Sequence, residues 1–121
     1  MVNKIIENAL IRSVSITMED HGIITFLINV EGDAWGCSVG GYCIGHGYLN
    51  ADKDYFDGCG EGIEAMARIM DVVGVSRWED LKGKYCRIER ICEEGIIKIG
   101  HIIKDKWFDI DQFFKEKQND K

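Results

Sequence analysis

Nine of the fourteen glycines of this chain lie between Gly32 and Gly62, a quarter of its length, and there is no proline anywhere. Glycine opens backbone conformations closed to other residues and weakens regular elements, so this quarter must hold turns, bulges or an irregular loop. The core must come from elsewhere. With 121 residues the chain has the length of one domain. Folding at that size buries roughly two thirds of the unfolded surface, enough for a core without disulfide staples. We expect a single domain over 1–121, ordered over about residues 9–114, with 115–121 too polar to order itself.

From Leu10 to Met18, the apolar residues Leu10, Val14, Ile16 and Met18 alternate with Ser13, Ser15 and Thr17. That is the period of a half-buried strand. After the turn Glu19-Asp20-His21-Gly22, residues 23–30 are mostly apolar on both faces, which predicts a central strand and a first antiparallel hairpin. The turn Glu31-Gly32-Asp33 leads to a third strand over 35–42, with Trp35, Cys37 and Val39 on one face. Residues 43–60 have no period and read as a long loop.

Ile63, Met66, Ala67, Met70 and Val73 then mark one face of a helix that ends at Gly74. Ser76-Arg77-Trp78-Glu79 has the form of a capping box and predicts a short second helix to about Leu81. Residues 85–91 and 96–103 form a second predicted hairpin, and Asp109 to Gln112 can cap a short terminal helix. The expected fold class is α+β, a curved antiparallel sheet of about five strands in the order β-β-β-α-β-β. An oligonucleotide-binding barrel has the same order of elements, so closure into a barrel stays open.

No apolar run approaches the roughly 18 residues of a membrane span, and the first residues lack the basic-then-apolar pattern of a signal peptide. We therefore expect a cytoplasmic protein whose five cysteines are free thiols. Charge is uneven. Residues 1–76 hold four basic and eleven acidic side chains, and residues 77–121 hold eleven and ten, for a total of -6. Direct nucleic-acid binding is not expected of such an acidic chain, since it needs lysines and arginines gathered on one surface. The strip Arg87, Arg90, Lys98, Lys104 and Lys106 is diluted by Glu89, Glu93 and Glu94.

Gly58, Gly60, Glu61 and Gly62 stand at the start of the main helix, where free N–H groups can hold an anion, although Glu61 already answers the helix dipole and the lysine of a P-loop is missing. Cys37, Cys43, His46 and Cys59 have zinc-ligand types without a familiar spacing, so no metal and no cofactor is expected. A Cys43 or Cys59 nucleophile with His46 and Asp52, Asp54 or Asp57 can be drawn, but such trios arise readily among five cysteines and twenty-one acids. His101 shares a face with Ile97, Ile99 and Ile103 and reads as a sheet residue with a hydrogen-bond partner. The loop residues Asp52, Asp54, Asp57, Glu61 and Glu64, interleaved with Tyr48, Tyr55 and Phe56, suit a basic groove on another protein.

The strings TMEDHGIITF, EGDAWGCSVGGY, GVSRWEDLKGKYCRIE and IGHIIKDKWFD resemble a widespread group of small phage and prophage proteins. The resemblance spans about residues 10–114 and rests on four motifs in order. Asp20, His21, Gly22, Gly40, Gly41, Tyr42, Trp78, Asp80, Trp107 and Asp109 stand out within it. It implies a phage setting and carries over no catalytic residue or cofactor. The expectation is a non-enzymatic accessory or counter-defence protein, anti-CRISPR-like, that inhibits a host protein in the host cytoplasm by surface binding. Its candidate contacts are His21, Tyr42, His46, Tyr48, Asp52, Asp54, Tyr55, Gly58, Gly60, Glu61 and Gly62; the alternative is capture of a small phosphorylated ligand such as a nucleotide signal. A homo-oligomer is compatible with either.

Overall fold

The computed structural model describes residues 4–20, 23–46, 58–91 and 95–119, and of residues 19, 20, 41, 43, 46 and 117–119 it describes the backbone. Among the described residues six strands form one open antiparallel sheet in the order β3-β2-β1-β4-β5-β6, where about five had been expected. The strands are β1 (Lys4–Asp20), β2 (Ile23–Gly32), β3 (Trp35–His46), β4 (Tyr85–Ile91), β5 (Gly95–Gly100) and β6 (Trp107–Asp109). Helix α1 (Gly60–Val73) precedes a 3-10 turn at Trp78–Leu81, and α2 (Ile110–Asn119) follows β6.

β1 is the spine. Its first half pairs with β4, Lys4 opposite Ile91 through Leu10 opposite Tyr85. Its second half pairs with β2, Leu10 opposite Glu31 through Asp20 opposite Ile23. The two sets of partners overlap only around Leu10, so the sheet is two staggered halves hinged on one strand. A register shift between Ile11 and Ser13 lets Ile11 and Val14 share a face, because a bulge inserts one residue and restores the inward direction. The sheet coils far enough for β3 to approach β5, but among the described residues no ladder joins them. Barrel closure is therefore corrected to an open sheet.

The core lies in the concavity. Ile11, Phe26, Ile28, Ile88 and Ile99 meet Ile69 of α1, Leu81 and Ile110, all nearly solvent-free. α1 leans on β3 at one end of the sheet and on β5 and β6 at the other. Its buried face is Gly62, Ala65, Met66, Ile69 and Val72 rather than the predicted stripe, and Ile63 stands 55% exposed. Both stripes have helical spacing. The one bearing Gly62 and Ala65 lets the helix approach the sheet closely, which explains the choice. Gly74 has φ +97 and donates its N–H to the Met70 carbonyl, the expected left-handed end.

Several boundaries differ from the sequence reading. Residues 4–8 are strand, because β4 supplies a distant partner that local pattern does not reveal. β3 continues to His46. The predicted capping box is absent: Arg77 caps the 3-10 turn without a side-chain bond, and its Nε donates to Glu79 Oε1 at 2.7 Å. β5 stops at Gly100. The tail expected to be flexible is helical through Asn119, supported by the Lys115–Asp111 pair at 2.9 Å and Gln112 donating to Glu116 at 3.1 Å. Asp109 Oδ1 accepts the Gln112 N–H at 2.8 Å, the expected cap.

Candidate functional site

The glycine-rich segment is fastened to the sheet at both ends. Gly45 of β3 and Gly58 form an antiparallel bridge, and Cys59 donates its N–H to the Ile44 carbonyl at 2.9 Å. The chain thus leaves β3 after His46 and rejoins it one strand spacing away, directly before α1. Tyr48, Asp52, Asp54, Tyr55 and Phe56 lie outside the described residues, as does His21. His46 is the last residue of β3, its backbone opposite Ile23, and Cys43 lies opposite Thr25.

Gly60 opens α1 and Gly62 is buried beneath it. Cys59 occupies the N-cap position in extended conformation without a side-chain cap, and its thiol instead donates to Glu61 Oε2 at 3.7 Å. The Cys59 side chain therefore does not cap the first-turn N–H groups, while Glu61 supplies negative charge beside them.

Tyr42 is the best-defined member of the candidate set. Its ring stacks on Phe114 of α2 at 3.8 Å between centroids and 7° between planes, and leans against Phe26 at 6.0 Å. Burial first, then the Asp111 carboxylate, raises its phenol above the ordinary 10.0. The residue joins the sheet to the terminal helix, a role that its place in a glycine-rich string did not reveal. Among the described residues no three His, Cys, Asp or Glu gather as metal ligands. Cys86 is fully buried, and that burial pushes its thiol up to about 12, which suits a packing residue rather than a nucleophile.

Two features lay beyond sequence reasoning. A shallow cavity of about 270 Å³ opens where β1 changes partners, lined by Asn8, Leu10, Glu31, Asp33 and Tyr85. The loop between β5 and β6 is tightly built: His101 Nδ1 accepts the N–H groups of Ile103 and Lys104 at 3.0 and 2.9 Å. Arg87 donates to the carbonyls of His101 and Lys104, both at 2.7 Å, with its guanidinium 4.8 Å from the Trp107 ring centroid. His101 does find hydrogen-bond partners, but in this loop beyond the end of β5.

Comparison of the chain with protein-family models, with curated proteins and with solved structures finds no match. The site and fold together define an α+β protein with an acidic segment clasped between an edge strand and the main helix, and no helix among the described residues is long and apolar enough to cross a membrane.

Proposed function

We propose that the protein is a non-enzymatic phage accessory protein of the counter-defence type, which inhibits a host protein by occupying its surface with the segment from Tyr42 to Glu64. The observation that carries this reading is the clasp at Gly45, Gly58 and Cys59. Closing the base of a segment reduces the conformational freedom lost on binding. Asp52, Asp54 and Asp57 with Tyr48, Tyr55 and Phe56 give that segment the composition to meet a basic, partly apolar groove. The resemblance to small phage proteins supplies the setting.

Plating a phage on a host with an active defence, with and without this protein, tests the reading. Expression should restore plaques, and Tyr55→Ala combined with Asp52→Asn and Asp54→Asn should abolish the effect without changing the melting temperature. Failure of purified defence complexes to bind the protein in titration calorimetry, together with no gain in plaques, would refute it.

The absence of a side-chain cap at Cys59 favours a second reading, capture of a phosphorylated ligand such as a nucleotide by the first turn of α1. Thermal shifts with millimolar nucleotides decide it, since a ligand that binds only the folded state must raise the melting temperature.

A further inference from the structure

Residues 101–106 return the chain from β5 to β6 without a glycine or a proline, and none of them has a positive φ. The turn is organised by a side chain instead. His101 Nδ1 accepts the N–H groups of Ile103 and Lys104, two and three residues ahead, at 3.0 and 2.9 Å. That is the pattern by which the side-chain oxygen of Asp, Asn, Ser or Thr starts a turn, with a ring nitrogen in place of the oxygen. The rest of the loop is built around it. His101 donates its own N–H to the Lys106 carbonyl at 2.9 Å, Lys106 donates to the Lys104 carbonyl at 2.8 Å, and the Arg87 guanidinium spans the His101 and Lys104 carbonyls.

Nitrogen in place of oxygen makes this turn sensitive to protons. A carboxamide oxygen keeps its lone pairs at every pH, whereas an imidazole nitrogen accepts only while it carries no hydrogen. A second proton turns both ring nitrogens into donors, so rotating the ring cannot restore the two bonds. We propose that the β5–β6 loop is a proton-operated latch. It is closed while His101 is neutral with its hydrogen on Nε2, and protonation of the ring opens it and releases Arg87 from its two carbonyls. The charged groups within the loop or bonded to it are Lys104, Asp105, Lys106, Arg87 of β4 and Asp71 of α1, which Lys106 holds at 3.0 Å. One row further along the sheet stand Glu89, Lys98 and Asp109. Lys98 lies 3.7 Å from Glu89, and Asp109 accepts the Gln112 N–H, so these acids are already engaged. A charged ring is therefore added to a loop that already holds Arg87, Lys104 and Lys106, and like charges favour opening.

Free imidazole takes up its second proton at about pH 6.5, so the latch holds above that pH and opens as the pH falls below it. Amide exchange with water in the full chain, each rate divided by that of an unstructured peptide at the same pH, tests this at pH 7.5 and pH 5. Protection at Ile103 and Lys104 should fall at least tenfold on acidification, with Leu27 and Asn29 unchanged. In His101→Asn an uncharged Oδ1 takes the place of Nδ1, and protection at the same two amides should change less than twofold. Nitrogen spectra of the labelled wild-type ring at pH 7.5 should place its hydrogen on Nε2, a reading that depends on no variant. Three results would each overturn the proposal: hydrogen on Nδ1 at pH 7.5, a wild-type loop whose protection is the same at both pH values or falls only in step with Leu27, and a fall in His101→Asn as large as in the wild type.

Discussion

Three strand segments, 13–18, 23–30 and 35–46, contain no formal charge and are bounded by the Arg12–Glu31 pair and by Glu19 and Asp20, whereas the sixteen residues of β4, β5 and β6 carry Arg87, Glu89, Arg90, Lys98 and Asp109. Both halves hang on β1 and both bury aliphatic side chains in one concavity. They differ in what holds their outer surfaces. In the uncharged half, small hydroxyl and amide groups bond across strands, and glycine sets the close approach of β3 to β2. In the charged half, Arg87 lies 4.8 Å from the Trp107 ring centroid and Lys98 lies 3.7 Å from the buried Glu89 carboxylate, while on the inner face Arg90 pairs with Glu7 at 3.2 Å and sits 5.0 Å from the Trp35 ring centroid. The small polar residues of the uncharged half are those of a sheet face turned to solvent.

The largest effect that tests this contrast is steric. Gly40→Ala places a Cβ against the Phe26 carbonyl oxygen at a positive φ, and we expect a loss of about 3 kcal/mol or more by urea denaturation. A loss under about 1 kcal/mol would show that β3 can shift away from the Phe26 carbonyl. In the charged half, Arg87→Ala removes two hydrogen bonds from a cation and its packing on Trp107. Here we expect about 2 kcal/mol, with Arg87→Lys recovering part of it. Equal stability of wild type and Arg87→Ala would mean that the β5–β6 loop holds itself.

The smallest effect concerns Tyr42, which ties the uncharged half to α2. Its raised folded-state value means that the native form keeps the phenol proton more tightly than the unfolded chain does. The linked stability is complete below pH 10, the unfolded value, and is lost as pH rises through the folded value. Melting temperatures between pH 9 and 11.5 should fall less steeply for Tyr42→Phe than for wild type. Parallel curves would indicate that the ring does not stay stacked on Phe114.

Sequence reading reached the elements whose signals are local. The alternation over 85–91 gave β4 with the observed bounds, and Gly74 marked the end of α1, because side-chain period and a left-handed residue are set within a few positions. Long-range choices were less legible. Residues 4–8 became strand only through β4, and α1 turned toward the sheet the stripe containing Gly62 and Ala65. Ile16 and Met18, on the apolar face of the predicted half-buried strand, are 49% and 56% exposed, and α1 makes its sheet contacts with β3, β5 and β6. Of the candidate site, the sequence located the segment before α1. The clasp that closes it depends on Gly45 meeting Gly58, a pairing that no spacing rule contains.

The central claim is that the two halves of one sheet are held by different means, cross-strand hydroxyl and amide bonds in one and long cationic side chains in the other. Native-state amide hydrogen exchange of the full chain, wild type against Arg87→Ala, tests it most directly. The account predicts faster exchange at His101, Ile103 and Lys104, with Leu27 and Asn29 unmoved. Unchanged exchange at the β5–β6 loop, or an equal rise in both halves, would contradict it.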